Sequence, residues 1–470
     1  MLSQEENELL CRVGPGTVMG DLMRQYWVPA LMPNELAVPD CPPLRVRLLG
    51  ENLIAFRTTS GDVGLIQNSC PHRGASMFFG RNEEEGLRCV YHGWKFGVTG
   101  ACVDMPSEPA ESNFRSKVRT RAYPCVERNG IIWTYMGPRA VPPPLPELPP
   151  NLVEEHNTTI KEMRECNYMQ ALEGDIDTVH AGFLHGGHVI AERDTHPATI
   201  GYYAAKTRAA RFVTRPNEIG FTFAAVRPAE STTEYWRTGH FLLPYFTMNG
   251  PGLMPLKNRA QLWVPVDDEH TMVWVVEPAD HLEKHRNGTG IGGLKEGGTS
   301  PGPRPSNPLF QGRGGQWTIL EPNSSDWLGR FRPAQNEHND YLIERDLQRH
   351  LEMDPTKPPT GTYSGIPGGA DIQDAAVQES MGGVYDRTME HLGTTDAMII
   401  QTRRRLIAAA KALREHGTVP PGVDEPTLYR LRSGGALLPK GVNGLEILRP
   451  VHCWQADSIE PEMLVPARTS

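Results

Sequence analysis

Cys70-Pro71-His72-Arg73-Gly74 and Cys89-Val90-Tyr91-His92-Gly93-Trp94 form a Cys-x-His and a Cys-x-x-His with 16 residues between them. Two soft thiolates and two imidazoles on a matched pair of loops suit either a tetrahedral zinc or a 2Fe-2S cluster in which two His replace two Cys on one iron. Zinc ribbons and fingers open with Cys-x2-4-Cys or close with His-x3-5-His. Here each loop supplies one Cys and one His, so each reaches both irons of a binuclear centre, and the pairing favours the cluster. On that reading Cys70 and Cys89 hold the inner iron and His72 and His92 the outer one. Each His then keeps a free ring nitrogen for a hydrogen bond to the next redox centre.

The flanks of these loops are short and β-rich. Val46-Arg47-Leu48-Leu49, Leu53-Ile54-Ala55-Phe56 and Val63-Gly64-Leu65-Ile66 are divided by turns at 50–52 and 60–62, and Gly130–Gly137 reads as a last strand. The proline run at 141–146 cannot pair into a sheet and marks a stiff linker. Upstream, the apolar residues of 5–35 are broken at Gly14-Pro15-Gly16, which predicts two short helices packed on the β domain that follows. Beyond the linker, strands are expected at 208–214, 219–226, 233–246, 260–265 and 271–276. A helix is expected over 396–415, capped by Thr395 or Asp396 and ended at Gly417. Residues 288–315 are about half Gly and Pro, the composition of a mobile loop.

A second constellation lies in Asn167–His185. At i and i+3 on a helix, Asp177 and His180 share a face, so the carboxylate can accept the ring N–H of His180 and turn its other nitrogen toward a metal. His185 converges if the helix ends nearby, which Gly182 and Gly186-Gly187 permit. Two His and a carboxylate on one face of an iron leave adjacent positions open for dioxygen and substrate. That carboxylate must come from elsewhere in the chain.

Cys70–Ala75, Gly80-Arg81-Asn82-Glu83, Cys89–Phe96 and Tyr26–Ala30 together resemble the Rieske segment of ring-hydroxylating oxygenases, in particular the phthalate dioxygenase-like subgroup. Ile372–Gly382, Asp386-Arg387 and Glu390–Gly393 continue the likeness over nearly the whole chain, apart from 288–315 and the tail after about 440. The resemblance implies an α+β protein. An all-β Rieske domain with its helical extension would occupy 1–145, and a helix-grip catalytic domain, an antiparallel sheet with helices, 146–470. It implies a Rieske 2Fe-2S cluster and a mononuclear Fe(II), the latter on His180, His185 and Asp374, with Asp371 and Glu379 as rival carboxylates. It further implies a homotrimer, or a multiple of trimers, closed head to tail, in which Asp177 bridges His180 to His92 of a neighbour. The substrate would be aromatic and carboxylated, taken with O2 to ring dihydroxylation, monooxygenation or O-dealkylation. A carboxylate calls for an arginine fork, for which Arg237 leads, with Arg208, Arg211 and Asn167 as further substrate candidates.

The chain of 470 residues has 47 Lys plus Arg against 56 Asp plus Glu, a formal charge of −9 with no basic block, which excludes nucleic acid and anionic membranes as obvious partners. Six of the eight cysteines lie outside the ligand loops, too scattered for a disulfide framework. With an acidic start and no apolar run near 18 residues, a cytoplasmic place is expected. No Gly-x-Gly-x-x-Gly opens a βαβ unit, so NAD(P)H electrons must arrive through a separate flavin or iron-sulfur reductase. Two other readings are a Rieske electron carrier without catalytic iron, which would not need His180, His185 and Asp374, and a non-redox binder of aromatic acids, which would not need the cluster loops.

Overall fold

A computed structural model of the chain describes residues 2–109, 111–152, 157–186, 203–204, 206–249, 259–278, 310–313, 316–350, 362–367 and 369–454. The Gly/Pro-rich 288–315 stretch, apart from 310–313, and the tail beyond 454 lie outside the described residues.

The N-terminal half is built from three small antiparallel sheets. Strands Leu44–Leu48, Glu51–Arg57, Val63–Gln67 and Ala122–Tyr123 form one; Trp27–Leu31, Ile131–Tyr135 and Cys125–Arg128 form another. The third joins Arg81–Glu83, Gly86–Arg88, Lys95–Phe96 and Cys102–Asp104; the Cys89–Trp94 loop links its second and third strands, while the Cys70–Ala75 loop follows Val63–Gln67 of the first sheet. Ile54, Phe56, Ile66, Leu87, Trp94 and Phe96 form a compact core beneath Cys70 and Cys89.

The second half is organised by one antiparallel sheet in the order Asn157–Arg164, Thr271–Pro278, Ala260–Pro265, Phe246–Asn249, Thr233–Leu242, Gly220–Pro228, Arg211–Asn217. Gly434–Pro439 pairs with the first part of Thr233–Leu242, on the edge that residues 239–242 share with Phe246–Asn249. Strict alternation separates the faces of the sheet. Phe221, Phe223 and Phe241 join the core that includes the Tyr168–Ile176 and Ala397–His416 helices, while Ala224, Val226 and Trp236 pack under Leu445 and Leu448.

The N-terminal helices do more than expected. Gln4–Cys11, capped by a Ser3–Glu6 box, and Val18–Met23 pack against the Ala397–His416 helix of the second half as well as on the β domain that follows them, where Arg24 reaches Leu49 O and Glu51. Tyr168 donates to the carbonyl of Leu10 at 2.9 Å, and Arg12 pairs with Asp268 at 3.2 Å. One hydrophobic core therefore runs from Leu10 and Trp27 through Tyr135 and Leu148 to Tyr168 and Trp274. No helix among the described residues is long and apolar enough to cross a membrane.

Candidate metal centres and substrate pocket

The two cluster loops have the same backbone. In the first, Cys70 N–H donates to Ala75 O and Gly74 N–H returns to Cys70 O; in the second, Cys89 N–H donates to Trp94 O and Gly93 N–H returns to Cys89 O. Each closes at a glycine with φ +77, a conformation only glycine adopts without strain. Cys70 and Cys89 are buried, and burial pushes the free Cys70 thiol up. His72 stacks on Trp94 at 4.3 Å and meets His92 edge-on at 4.4 Å, both rings half-buried. The Nδ1 of His72 is buried without a hydrogen-bond partner, as a ligand atom would be. The four groups do not gather on one point: among the described residues, only His180, His185 and Asp374 place three donor atoms within 4.8 Å of one another. Ligands of a tetrahedral zinc would do so, at separations of about 3.5 Å, whereas a binuclear cluster holds its ligands wider apart.

The mononuclear site is assembled from two segments. The Tyr168–Ile176 helix ends before Asp177, which is its C-cap, and His180 begins a separate 3-10 turn. Asp177 and His180 thus meet across a helix end and not on one helix face, as the spacing had suggested. The Asp177 Oδ1 accepts from Val179 N–H at 2.8 Å, and its Oδ2 faces His180 Nδ1 at 3.6 Å. Asp374 comes from the Ala370–Glu379 helix. The Nε2 atoms of His180 and His185 lie 3.1 Å apart, and Asp374 Oδ1 is 3.5 and 3.3 Å from them. Ligands at about 2.1 Å and right angles on one ion sit about 3 Å apart, so the three donors fit one face of a single metal.

Charge at the site is balanced internally. Burial alone would raise the Asp374 carboxyl, but the facing His185 and His180 and the nearby Arg164 outweigh it and hold it at about 2. Burial would lower His180, yet Asp177 and Asp374 together raise it. Of the rival carboxylates, Glu379 is occupied by Tyr341 and by Glu165 N–H, and neither it nor Asp371 joins the donor group.

The four substrate candidates separate. Arg237, half-buried in Thr233–Leu242, bears electrostatically on His180. Arg208 lies over the Phe183 ring at 4.7 Å, beside the same turn, but precedes the strand expected to hold it. Arg211 starts the outermost strand, is exposed and pairs with Glu234 at 3.4 Å, so it does not wall the pocket. Asn167 is 0% exposed: its Oδ1 accepts from Met169 N–H, and its Nδ2 donates to the carbonyls of Cys11 and Asp268. It caps the helix and leaves nothing for substrate.

Two residues went unnoticed in the sequence. Arg227 pairs with Tyr235 and Ala225 with Arg237, which sets Arg227 diagonally beside Arg237 on one face. It is 1% exposed and donates to Thr178 O; its Nη1 has no partner, and burial with the Arg237 charge lowers it to about 10. Gln373 Oε1 lies 2.7 Å from His185 Nδ1. Its place beside Asp374 on a helix was the available sign.

Residues 26–124 match the Rieske [2Fe-2S] domain family, and 134–287 with 321–458 match the family described as LigXa C-terminal domain like. The chain is 42% identical over 451 residues to the 3-chlorobenzoate-3,4-dioxygenase oxygenase subunit of Comamonas testosteroni, covering 94% of this chain and 97% of that one. It is 33% identical over 460 residues to the phthalate 4,5-dioxygenase oxygenase subunit of Pseudomonas putida, covering 94% of each. The crystal structure of dicamba monooxygenase bound to 3,6-dichlorosalicylic acid superposes with a TM-score of 0.51 at 16% identity, over 84% of this chain and 99% of that one, a likeness of fold.

Proposed function

The chain belongs to the Rieske non-haem iron ring-hydroxylating oxygenases, as an oxygenase subunit of the phthalate dioxygenase-like group, and from that premise we propose that it oxygenates an aromatic acid of the benzoate class. The convergence of His180, His185 and Asp374 carries the proposal, because an electron carrier would not need it. Cys70, His72, Cys89 and His92 would hold the 2Fe-2S cluster, and the triad the mononuclear iron. When bound, these groups supply electron transfer and dioxygen chemistry, while the protein supplies placement. The division between the two units is placed at the proline run of 141–146.

Asp177 is read as an orienting residue: its carboxylate faces His180 Nδ1 and keeps Nε2 toward the metal. In a head-to-tail trimer the same carboxylate would reach His92 of a neighbour, giving electrons a short, rigid path between centres. The aromatic acid would lie with its carboxylate on Arg237, assisted by Arg208, and its ring toward the triad. A guanidinium fork matches a carboxylate in both charge and geometry. Electrons come from a separate reductase component, which such multicomponent systems need; we propose that it is NAD(P)H-dependent and that both components share a cytoplasmic compartment.

Ring dioxygenation is the favoured outcome, since two relatives matched over 94% of this chain are dioxygenase subunits. A panel of substituted benzoates and phthalates, with reductase, NADH and oxygen-18 gas, tests it. Two labelled atoms in a dihydrodiol are expected; one labelled atom, or loss of an alkyl group as aldehyde, would make it a monooxygenase. Turnover of neutral aromatics alone would remove the carboxylate.

A further inference from the structure

We propose that Gln373 is a positioning residue that fixes the ring proton of His185 and thereby sets how tightly the mononuclear site binds metal; this rests on the reading that His180, His185 and Asp374 hold that metal. A primary amide can turn either its oxygen or its nitrogen toward a partner. The Nε2 of Gln373 donates to the carbonyl of Ile366 at 3.0 Å, and a carbonyl only accepts. The amide nitrogen is therefore committed there, and Oε1 must face His185 Nδ1, 2.7 Å away. An oxygen that only accepts requires the hydrogen on Nδ1, so the lone pair of His185 is left on Nε2. That is the atom 3.1 Å from His180 Nε2 and 3.3 Å from Asp374 Oδ1. Gln373 is 0% exposed, so water does not compete for either contact.

The device is anchored at both ends. Tyr363 N–H donates to the carbonyl of Gly186, next to His185, at 2.8 Å, and Gly365 O accepts from Glu344 N–H at 2.8 Å. Segment 362–367 thus holds the backbone after His185 and, through Ile366, the amide that orients its ring. Gln373 also precedes Asp374 on one helix, so the third donor and the orientation of the second move together. An imidazole free to place its proton on either nitrogen would spend part of its population unable to bind metal through Nε2.

The test is calorimetric titration of Co(II) into full-length protein whose cluster is loaded and whose mononuclear site has been emptied by dialysis against chelator. Gln373→Leu, which accepts nothing, is expected to weaken binding about 10- to 100-fold with the Rieske visible spectrum unchanged. Gln373→Glu, of equal size, still accepts from Nδ1–H but gives up the donation to Ile366 O; it is expected to bind Co(II) at least about threefold more tightly than Gln373→Leu, a split that a packing role would not produce. Binding within twofold of wild type in Gln373→Leu, or equal loss in both variants, overturns the inference. The wild-type Co(II) protein provides a readout that needs no variant. Two slowly exchanging, paramagnetically shifted imidazole N–H signals are expected, and finding only one overturns it. His185→Ala runs in parallel: if it takes up Co(II) as wild type does, the site itself has been misread and this inference falls with it.

Discussion

Removing one carboxylate should separate the two metal centres. Asp374→Ala is expected to lower iron from about three to about two per chain while the Rieske absorption stays, because the ligand sets occupy different sheets and loops. Retained iron with full activity would return the role to Asp371 or Glu379. Arg237→Gln should cut kcat/KM for an aromatic acid about 100-fold and leave its uncharged amide analogue nearly unchanged, the signature of a lost charge-assisted pair. An equal fall for both analogues would make Arg237 a packing residue. Residues with characteristic chemistry, the Cys and His pairs and Asp374, could be proposed from the chain, and the structure brings Asp374 to His180 and His185. Those defined by register could not. Arg211 and Arg227 lie on adjacent strands, yet Arg211 opens the exposed edge and Arg227 faces inward beside Arg237, a difference set by the pairing of Gly220–Pro228 with Thr233–Leu242. Asn167 and Gln373 are amides spent on backbone and imidazole; Gln373 had only its place beside Asp374 to announce that use.

Elements with regular patterning were legible, and those stabilised by partners distant in sequence were not. The expected strands at 219–226, 260–265 and 271–276 and the helix at 396–415 fall within about two residues of Gly220–Pro228, Ala260–Pro265, Thr271–Pro278 and Ala397–His416, where apolar runs meet turn residues. Asn157–Arg164 carries Lys161 and Glu162 in its middle and so reads as polar, yet both are buried, Lys161 against Glu35 at 2.6 Å. Gly434–Pro439 has no β-branched residue and exists because Thr233–Thr238 offers it an edge. The Tyr168–Ile176 helix, which leads into the metal turn, depends on a charge cluster: Glu173 pairs with Arg403 at 2.6 Å and Arg387 at 3.1 Å. Burial would raise Glu173, but the two guanidinium groups hold it below the ordinary glutamate value. A carboxyl lowered in the folded state contributes stability above pH about 4.3, and loses it as pH falls through the folded value. Glu173→Gln is expected to cost about 3 kcal/mol at pH 7, since it leaves the buried Arg387 without a carboxylate while Arg403 keeps Glu390. Urea unfolding at a series of pH values checks this: the gap between wild type and variant should narrow toward pH 3. A constant gap would assign the loss to packing.

At the scale of the whole molecule, the continuous core and the N-terminal helices join the two parts of one chain, but they do not say which cluster serves which iron. Phe79, Val90 and Tyr91 stand exposed around the cluster loops, with Tyr91 at 55%, which is the kind of surface a neighbour would cover. If the ring closes head to tail, the cluster of one chain feeds the iron of the next. Mixed trimers decide it. His72→Ala, defective in the cluster, and Asp374→Ala, defective in the iron site, should each be inactive alone. Co-expressed in equal amounts and assembled at random, about a quarter of the interfaces would join an intact cluster to an intact iron site, so about a quarter of wild-type activity should return if electrons cross between subunits. Transfer within one chain predicts none, since no single chain then holds both centres. Separately purified variants mixed after assembly should stay inactive in either case, which separates true co-assembly from exchange of metal between proteins. Activity near zero in well-formed mixed trimers would confine the electron path to one chain, and the proposed bridge from Asp177 to a neighbour's His92 would fall with it.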